Sequence, residues 1–347
     1  VLRVVLFDAG PGHRPWLFFA IHHLVVDGVS WRILLSDLET AYHQARGGGP
    51  VGLEPVGTAF TQWAHRLMGH VQAGGLDGDL GYWSALSRGV LAQGVLAQGV
   101  MAQETWPDLP VARTGVNTAG SSHTVTVRLG REDTDALVHQ VPGVYRTQIN
   151  DVLLSALGRV LSAWTGQQRV LIALEGHGRE DVLPGVDLSR TVGWFTTQFP
   201  VALTIPDTDC GEALKSIKEQ LRAIPHRGLS YGALRYLNPD SPLHADAHPQ
   251  ISLNYHGQWG AASAPGGLYR GSHNGLAPDH APESIRPYLL DVGGMITDGE
   301  LHLSWTYSQN VHDETTITDL AAQMLQALRE IVAHCAQPGA GGRTPSD

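Results

Sequence analysis

The chain has 347 residues, 42% of them hydrophobic, and a formal charge of −10 at pH 7. That length and apolar content can build a sizeable core, divided between two lobes. The acidic balance, without a basic stripe or tail, argues against a nucleic-acid partner, and no apolar run approaches the ~20 residues that span a bilayer. No charged-then-apolar leader opens the chain. Cys210 and Cys335 stand far apart, in no metal-ligand spacing. Reduced thiols and a cytoplasmic location are therefore expected.

Leu2–Phe7 and Trp16–Ile21 read as strands joined by the Gly10-Pro11-Gly12 turn. The second runs into His22-His23-Leu24-Val25-Val26-Asp27-Gly28. Neighbouring residues on a strand point to opposite faces, so one histidine is expected to be structural and the other free for chemistry. Beyond the Asp27-Gly28 break, Trp31, Leu34, Leu35, Leu38 and Tyr42 recur at helical steps, and Ser30 is the expected N-cap. This places a histidine beside a helix N-terminus, whose N–H groups favour negative charge.

Phe60–Val71 is a predicted helix. Residues 89–103 repeat GVLAQ-GVLAQ-GVMAQ, a period that suits neither helix nor strand, and read as a surface-loop insertion without assigned function. The proline- and glycine-bearing stretch Trp106–Gly120 marks the expected lobe boundary. After it come a strand (His123–Leu129), helices over Glu132–Gln140 and Asp151–Trp164, and a buried strand (Val170–Leu174) that delivers Glu175 at its end. A helix (Gly211–Ala223), strands (Ile251–Tyr255, Leu301–Tyr307) and a closing helix (Ile317–Ala336) follow. The βα alternation predicts an α/β protein of two sandwich lobes, at 1–115 and 116–337, with a disordered tail at 338–347.

The residues alone leave the chemistry open. His23 could be a general base, imidazole being the side chain most often used for proton transfer near neutrality, or a buried histidine satisfied by backbone. A metal site is disfavoured, since His22 and His23 diverge and no third ligand sits at the right spacing. Asp27 reads as a structural carboxylate paired with an arginine, whose place is expected in sequence ahead of the chain. Ser30 lacks the second glycine of a nucleophile elbow. Glu175 is either an exposed loop acid or a carboxylate held in a crowded cavity, where Gly176 and Gly178 admit close backbone approach. His177 and Arg179 read as supports for that loop. Trp194 and Phe195 fit either a core or a cavity wall, and of Asn254 and Tyr255 only one can face a given cavity.

The motifs together resemble the condensation-domain superfamily of nonribosomal peptide synthetases. His22–Leu38, HHLVVDGVSWRILLSDL, resembles the HHxxxDG motif in its epimerization-domain variant. Asn150–Ala156 is similar to the D-x-L-L-x-A helix, and Glu175–Glu180 matches EGHGRE letter for letter. Arg190–Thr196 with Pro200, Pro225–Gly232 and Asn254-Tyr255-x-Gly257 resemble three further motifs in the required order. Ser230, Phe199, Leu253 and His256 depart from that pattern, replacing a glycine, a tyrosine, a phenylalanine and a leucine.

The resemblance implies two chloramphenicol-acetyltransferase-like lobes with a tunnel between them. Because the chain opens a short distance before His22, the first lobe is expected to be incomplete, an N-terminally truncated portion. It implies epimerization of the Cα of an aminoacyl or peptidyl thioester, with His23 and Glu175 as the acid–base pair. His22, Asp27, Gly28, Ser30, Asn254 and Tyr255 would support them, and Trp194 and Phe195 would wall the tunnel. No metal or directly bound cofactor is implied. The substrate would arrive on the phosphopantetheine arm of an upstream peptidyl carrier domain, with a condensation domain downstream. A condensation or acyltransferase activity using His23 as base, or a non-catalytic interface domain, are the alternatives.

Overall fold

A computed structural model describes residues 1–87, 106, 108–245, 248–258, 268 and 280–347. The GVLAQ repeat at 89–103 lies outside them. The chain forms two compact units, one of Val1–Gly75 with Gly176–Thr197, the other of Leu76–Glu175 with Gln198–Asp347.

In the first unit, β1 (Leu2–Phe7) and β2 (Trp16–Ile21) pair antiparallel from Leu2↔Ile21 to Phe7↔Trp16. Leu2, Val4, Val5, Leu6, Phe7, Trp16, Leu17 and Phe18 are all exposed on this hairpin. Two helices follow, α1 (Gly28–Arg46) and α2 (Phe60–Gln72). The loop 176–197 is bonded to Thr58, just ahead of α2: Thr58 N–H donates to Asp187 O at 2.9 Å, and Thr191 Oγ1 donates to Thr58 O at 2.7 Å.

The second unit opens with α3 (Leu80–Ser87). β3 (Ser122–Leu129) follows, then α4 (Arg131–Asp135), which runs through a π-helical turn, Ala136–Gln140, into α5 (Val141–Tyr145). Next come α6 (Ile149–Thr165), β4 (Arg169–Gly176), β5 (Thr197–Thr204), α7 (Cys210–Arg222) and α8 (Leu229–Leu237). β6 (Ile251–Gln258), β7 (Leu290–Thr297), β8 (Glu300–Ser308) and α9 (Glu314–Cys335) complete it. The strands form one six-stranded sheet in the order β3-β8-β7-β6-β4-β5. β8 runs antiparallel to both of its neighbours, β3 and β7, whereas β7, β6 and β4 are mutually parallel.

Burial alternates along β7, and along β8 as far as Tyr307, so the sheet has one apolar and one polar face. Leu253, Val292, Leu303, Trp305 and Tyr307 are buried, as are Leu153, Leu154, Leu157 and Leu161 of α6 and Ile317, Leu320, Met324 and Leu328 of α9. The opposite face carries Ser252, Asn254, Asp291, Ser304 and Thr306, and it is this face that holds the candidate site. Two departures from the family pattern are accommodated by packing. Ser230 is fully buried and its Oγ accepts the Trp83 indole N–H at 3.0 Å, satisfying a polar group in the core. Phe199 is buried against Trp83 and against Gly228, whose left-handed backbone (φ 89°) leaves no room for a Cβ beside that ring.

Two sequence expectations are corrected. The compact units do not part near residue 115. Leu109 N–H donates to Gln250 Oε1 at 2.7 Å and Ala112 N–H to Val311 O at 2.9 Å, which binds this segment to the second unit. Residues 176–197 instead join the first. The tail at 338–347 is also not disordered. Lys218, whose side chain is 2% exposed, donates to Tyr145 O at 3.0 Å and pairs with the Asp347 carboxylate. A buried ammonium needs a counter-charge, and the tail supplies it.

Candidate functional site

In the first unit β2 ends at Ile21, one residue before the histidine pair. His22 is extended and caps a 3₁₀ turn, His23–Val25, by accepting the Leu24 N–H on Nδ1 at 3.1 Å. Strand alternation therefore does not govern the pair. A turn begins between the two histidines. His23 is exposed, and its ring lies 5.0 Å from that of Trp194, tilted by 48°.

Asp27, 2% exposed, is the N-cap of α1, not Ser30. Its Oδ1 accepts the Ser30 N–H at 2.7 Å and Arg179 Nη2 at 3.1 Å; its Oδ2 accepts Arg179 Nη1 at 2.8 Å and the Phe195 N–H at 3.0 Å. The arginine expected ahead of the chain is thus Arg179, inside the EGHGRE loop. Burial pushes the Asp27 carboxyl up, but the bonds from Arg179, Ser30 and Phe195 outweigh it and hold the group below its ordinary 3.8. The helix N-terminus expected to receive substrate charge is therefore engaged by a side chain of the chain itself. Ser30 is fully buried one turn on, where its Oγ donates to Gly193 O at 2.9 Å and accepts the Gly193 N–H at 3.0 Å and Arg179 Nη2 at 3.0 Å. Gly28, between them, is the first residue of α1.

The rest of the loop is built around this ion pair. Gly178 has φ 68°, and a Cβ there would lie 1.7 Å from Phe195 O, so the EGHGRE sequence requires glycine at that point. His177 Nδ1 accepts the Arg179 N–H at 3.0 Å and its Nε2 lies 3.2 Å from Glu180. Phe195 is a core residue. It is 2% exposed, packed on Phe60 and Trp63, with the Arg179 guanidinium 4.2 Å above its ring centre. Trp194 is 42% exposed.

In the second unit Glu175 lies near the end of β4, exposed, on the polar face of the sheet. The Asn254 Nδ2 group donates to its Oε2 at 2.5 Å, and Gln198 Nε2 donates to its Oε1 at 3.3 Å. All three line a cavity of about 390 Å³ that also includes Ser252, His256, Tyr288 and Asp291. Register pairs Asn254 with Gly293, and Ser304 lies opposite Gly293 on β8, so a glycine forms the floor beside the carboxylate. Tyr255 points the other way, toward Gly294, and does not line the cavity; burial raises its hydroxyl pKa. Of the Asn254–Tyr255 pair, the structure brings only Asn254 to Glu175. Sequence reasoning missed Gln198, which sits at the start of an apolar run, Phe199–Val201, that reads as core.

Among the described residues no cluster of three or more His, Cys, Asp or Glu could hold a metal ion, and no helix is long and apolar enough to cross a membrane. What the residues offer is groups capable of proton transfer: an accessible imidazole on a braced turn, and a carboxylate bonded by carboxamides in the lining of a polar cavity.

Such a fold describes an α/β domain that carries side chains able to act as acids and bases. The chain belongs to the Condensation domain family, whose profile matches residues 2–347. It is 43% identical over 352 residues to one linear gramicidin synthase protein of Brevibacillus parabrevis, and 43% identical over 355 residues to a second protein of the same synthase. These matches take in 99% and 100% of the chain but 6% and 4% of those proteins. Among solved structures, the epimerization domain from the third module of tyrocidine synthetase B superposes with a TM-score of 0.83 at 36% identity, covering 96% of this chain and 72% of that one. The X-domain from teicoplanin biosynthesis, at 17% identity and a TM-score of 0.66, shares the fold.

Proposed function

We propose that this chain is an epimerization domain of a nonribosomal peptide synthetase, acting on an aminoacyl or peptidyl thioester carried by the phosphopantetheine arm of a peptidyl carrier domain. The observation that carries this reading is the carboxylate of Glu175, presented to a polar cavity by Asn254 and Gln198. Peptide-bond formation needs a base for an amine; it has no use for a second, carefully held acid–base group. The likeness to the tyrocidine synthetase epimerization domain supports the same choice.

In this reading His23 and Glu175 serve opposite faces of Cα. One takes the α-proton, the electron pair of the broken C–H bond moves into the thioester carbonyl as an enolate, and the other returns a proton from the far side. The thioester acidifies the α-proton, and each well-placed group contributes roughly 100- to 10,000-fold. The Asp27–Arg179 pair fixes the turn that bears His23, and Asn254 holds Glu175. No oxidant or reductant enters. The carrier domain would precede the chain in its synthetase and a condensation domain would follow.

The test is a carrier-bound aminoacyl thioester in deuterated water. Deuterium at Cα with inversion supports the reading. Amide formation with an added acceptor and no deuterium would mark a condensation activity, and neither outcome would mark a non-catalytic interface domain.

A further inference from the structure

We propose that Gln198 is a positioning residue for Glu175, a role that rests on the epimerase reading above. The sheet order β6-β4-β5 puts Glu175 on the middle strand of three. Asn254 reaches Oε2 from β6 on one side, and Gln198 reaches Oε1 from β5 on the other, at 3.3 Å. Each oxygen of the carboxylate thus has its own amide donor, from opposite flanks.

Position along β5 makes this possible. Phe199, Val201 and Leu203 are buried, so alternation turns Gln198 to the polar face where Glu175 stands. Both Gln198 and Glu175 line the same cavity and both are exposed. A solvent-facing glutamate held by one donor can still rotate about its long side chain, losing the fixed geometry that proton transfer requires. A second donor on the other oxygen removes that rotation and fixes the plane of the carboxylate. A carboxamide suits the task because it carries no charge. It can also turn its oxygen to accept the O–H once Glu175 has taken a proton.

A residue acting through Glu175 affects only the proton that Glu175 handles. The test is single-turnover deuterium wash-in at Cα, measured separately from each enantiomer of a carrier-bound aminoacyl thioester. Gln198→Leu slows wash-in by about 5- to 30-fold from the enantiomer that Glu175→Gln slows most, with KM unchanged. Wash-in from the other enantiomer stays within about twofold, and the far-ultraviolet dichroism and thermal midpoint match the parent chain. In a Glu175→Gln background, Gln198→Leu adds nothing further, since no carboxylate remains to be held. Gln198→Met, of nearly equal length and without a donor, gives the same pattern if the leucine variant folds poorly.

Equal slowing from both enantiomers, additive effects in the double variant, or parent rates in both single variants would overturn the proposal and mark the contact as incidental. Failure of the unsubstituted chain to exchange would overturn the epimerase reading, and this proposal with it. Normal exchange that ignores Gln198 would overturn this proposal alone.

Discussion

Asp27 and Glu175 are both carboxylates set beside a loop, and the protein treats them in opposite ways. Asp27 is 2% exposed and receives four hydrogen bonds, two of them from one guanidinium. An ionised carboxylate offers about four acceptor sites, so Asp27 has none to spare. Glu175 is exposed, lines a cavity and receives two amide donors among the described residues, leaving lone pairs that a substrate proton can reach. The first arrangement stabilises a loop; the second, on the proposed reading, would keep a reactive group available while limiting its motion. On the proposed reading, saturation of a carboxylate, rather than its mere presence in a motif, separates the frame from the chemistry.

The contrast is broken most sharply at Arg179. Arg179→Ala leaves the buried Asp27 charge without its partner and is expected to destabilise the chain by about 3–5 kcal/mol in urea unfolding. Replacing both by leucine should recover much of that loss, because a buried pair costs desolvation that an apolar pair does not. A loss below ~1 kcal/mol for Arg179→Ala would mean that Asp27 is not a buried anion.

Asn254→Leu should show the reverse pattern. It lowers wash-in at Cα by about 10- to 100-fold, as loss of a hydrogen bond to a charged group predicts, while stability changes by less than ~1 kcal/mol. A large stability loss with unchanged turnover would place Asn254 in the frame instead.

Acid sharpens the comparison further. Asp27 has a folded-state pKa held below 3.8, so it adds stability above that value and loses it as the pH falls through the lower, folded-state one. Between pH 5 and 7 this group makes stability flat, and the acid-induced drop should shrink in Asp27→Asn. The same acid drop in both chains would contradict the assignment.

The smallest effect is expected at Trp194, 42% exposed and in ring contact with His23. Trp194→Ala should change stability by less than ~1 kcal/mol and slow wash-in only a few-fold, read by the same two assays.

Much of this was legible in the sequence because it is local. The period of α6, the strand that ends at Glu175 and the glycine demanded at 178 each express themselves within a few residues. The long-range pairings do not. Arg179 lies 152 positions from Asp27, and an ion pair leaves no periodicity to read. Continuity of apolar residues carried the β2 strand through His22 and His23, whereas the 3₁₀ turn depends on a cap that only geometry reveals. The Pro/Gly stretch before residue 120 looked like a linker, yet its backbone is bonded to the second unit. Gln198 went unnoticed because its partner stands on the adjacent strand.

The most direct test of the account compares the parent chain with His23→Ala and Glu175→Gln in one experiment: deuterium incorporation and inversion at Cα of a carrier-bound aminoacyl thioester, starting from each pure enantiomer. The account predicts that the parent exchanges and inverts from both sides. It also predicts that each variant loses inversion, and that the two variants spare wash-in from opposite enantiomers. Near-parental exchange in either variant, or identical losses from both enantiomers in both variants, would contradict the assignment of His23 and Glu175 to opposite faces of one carbon.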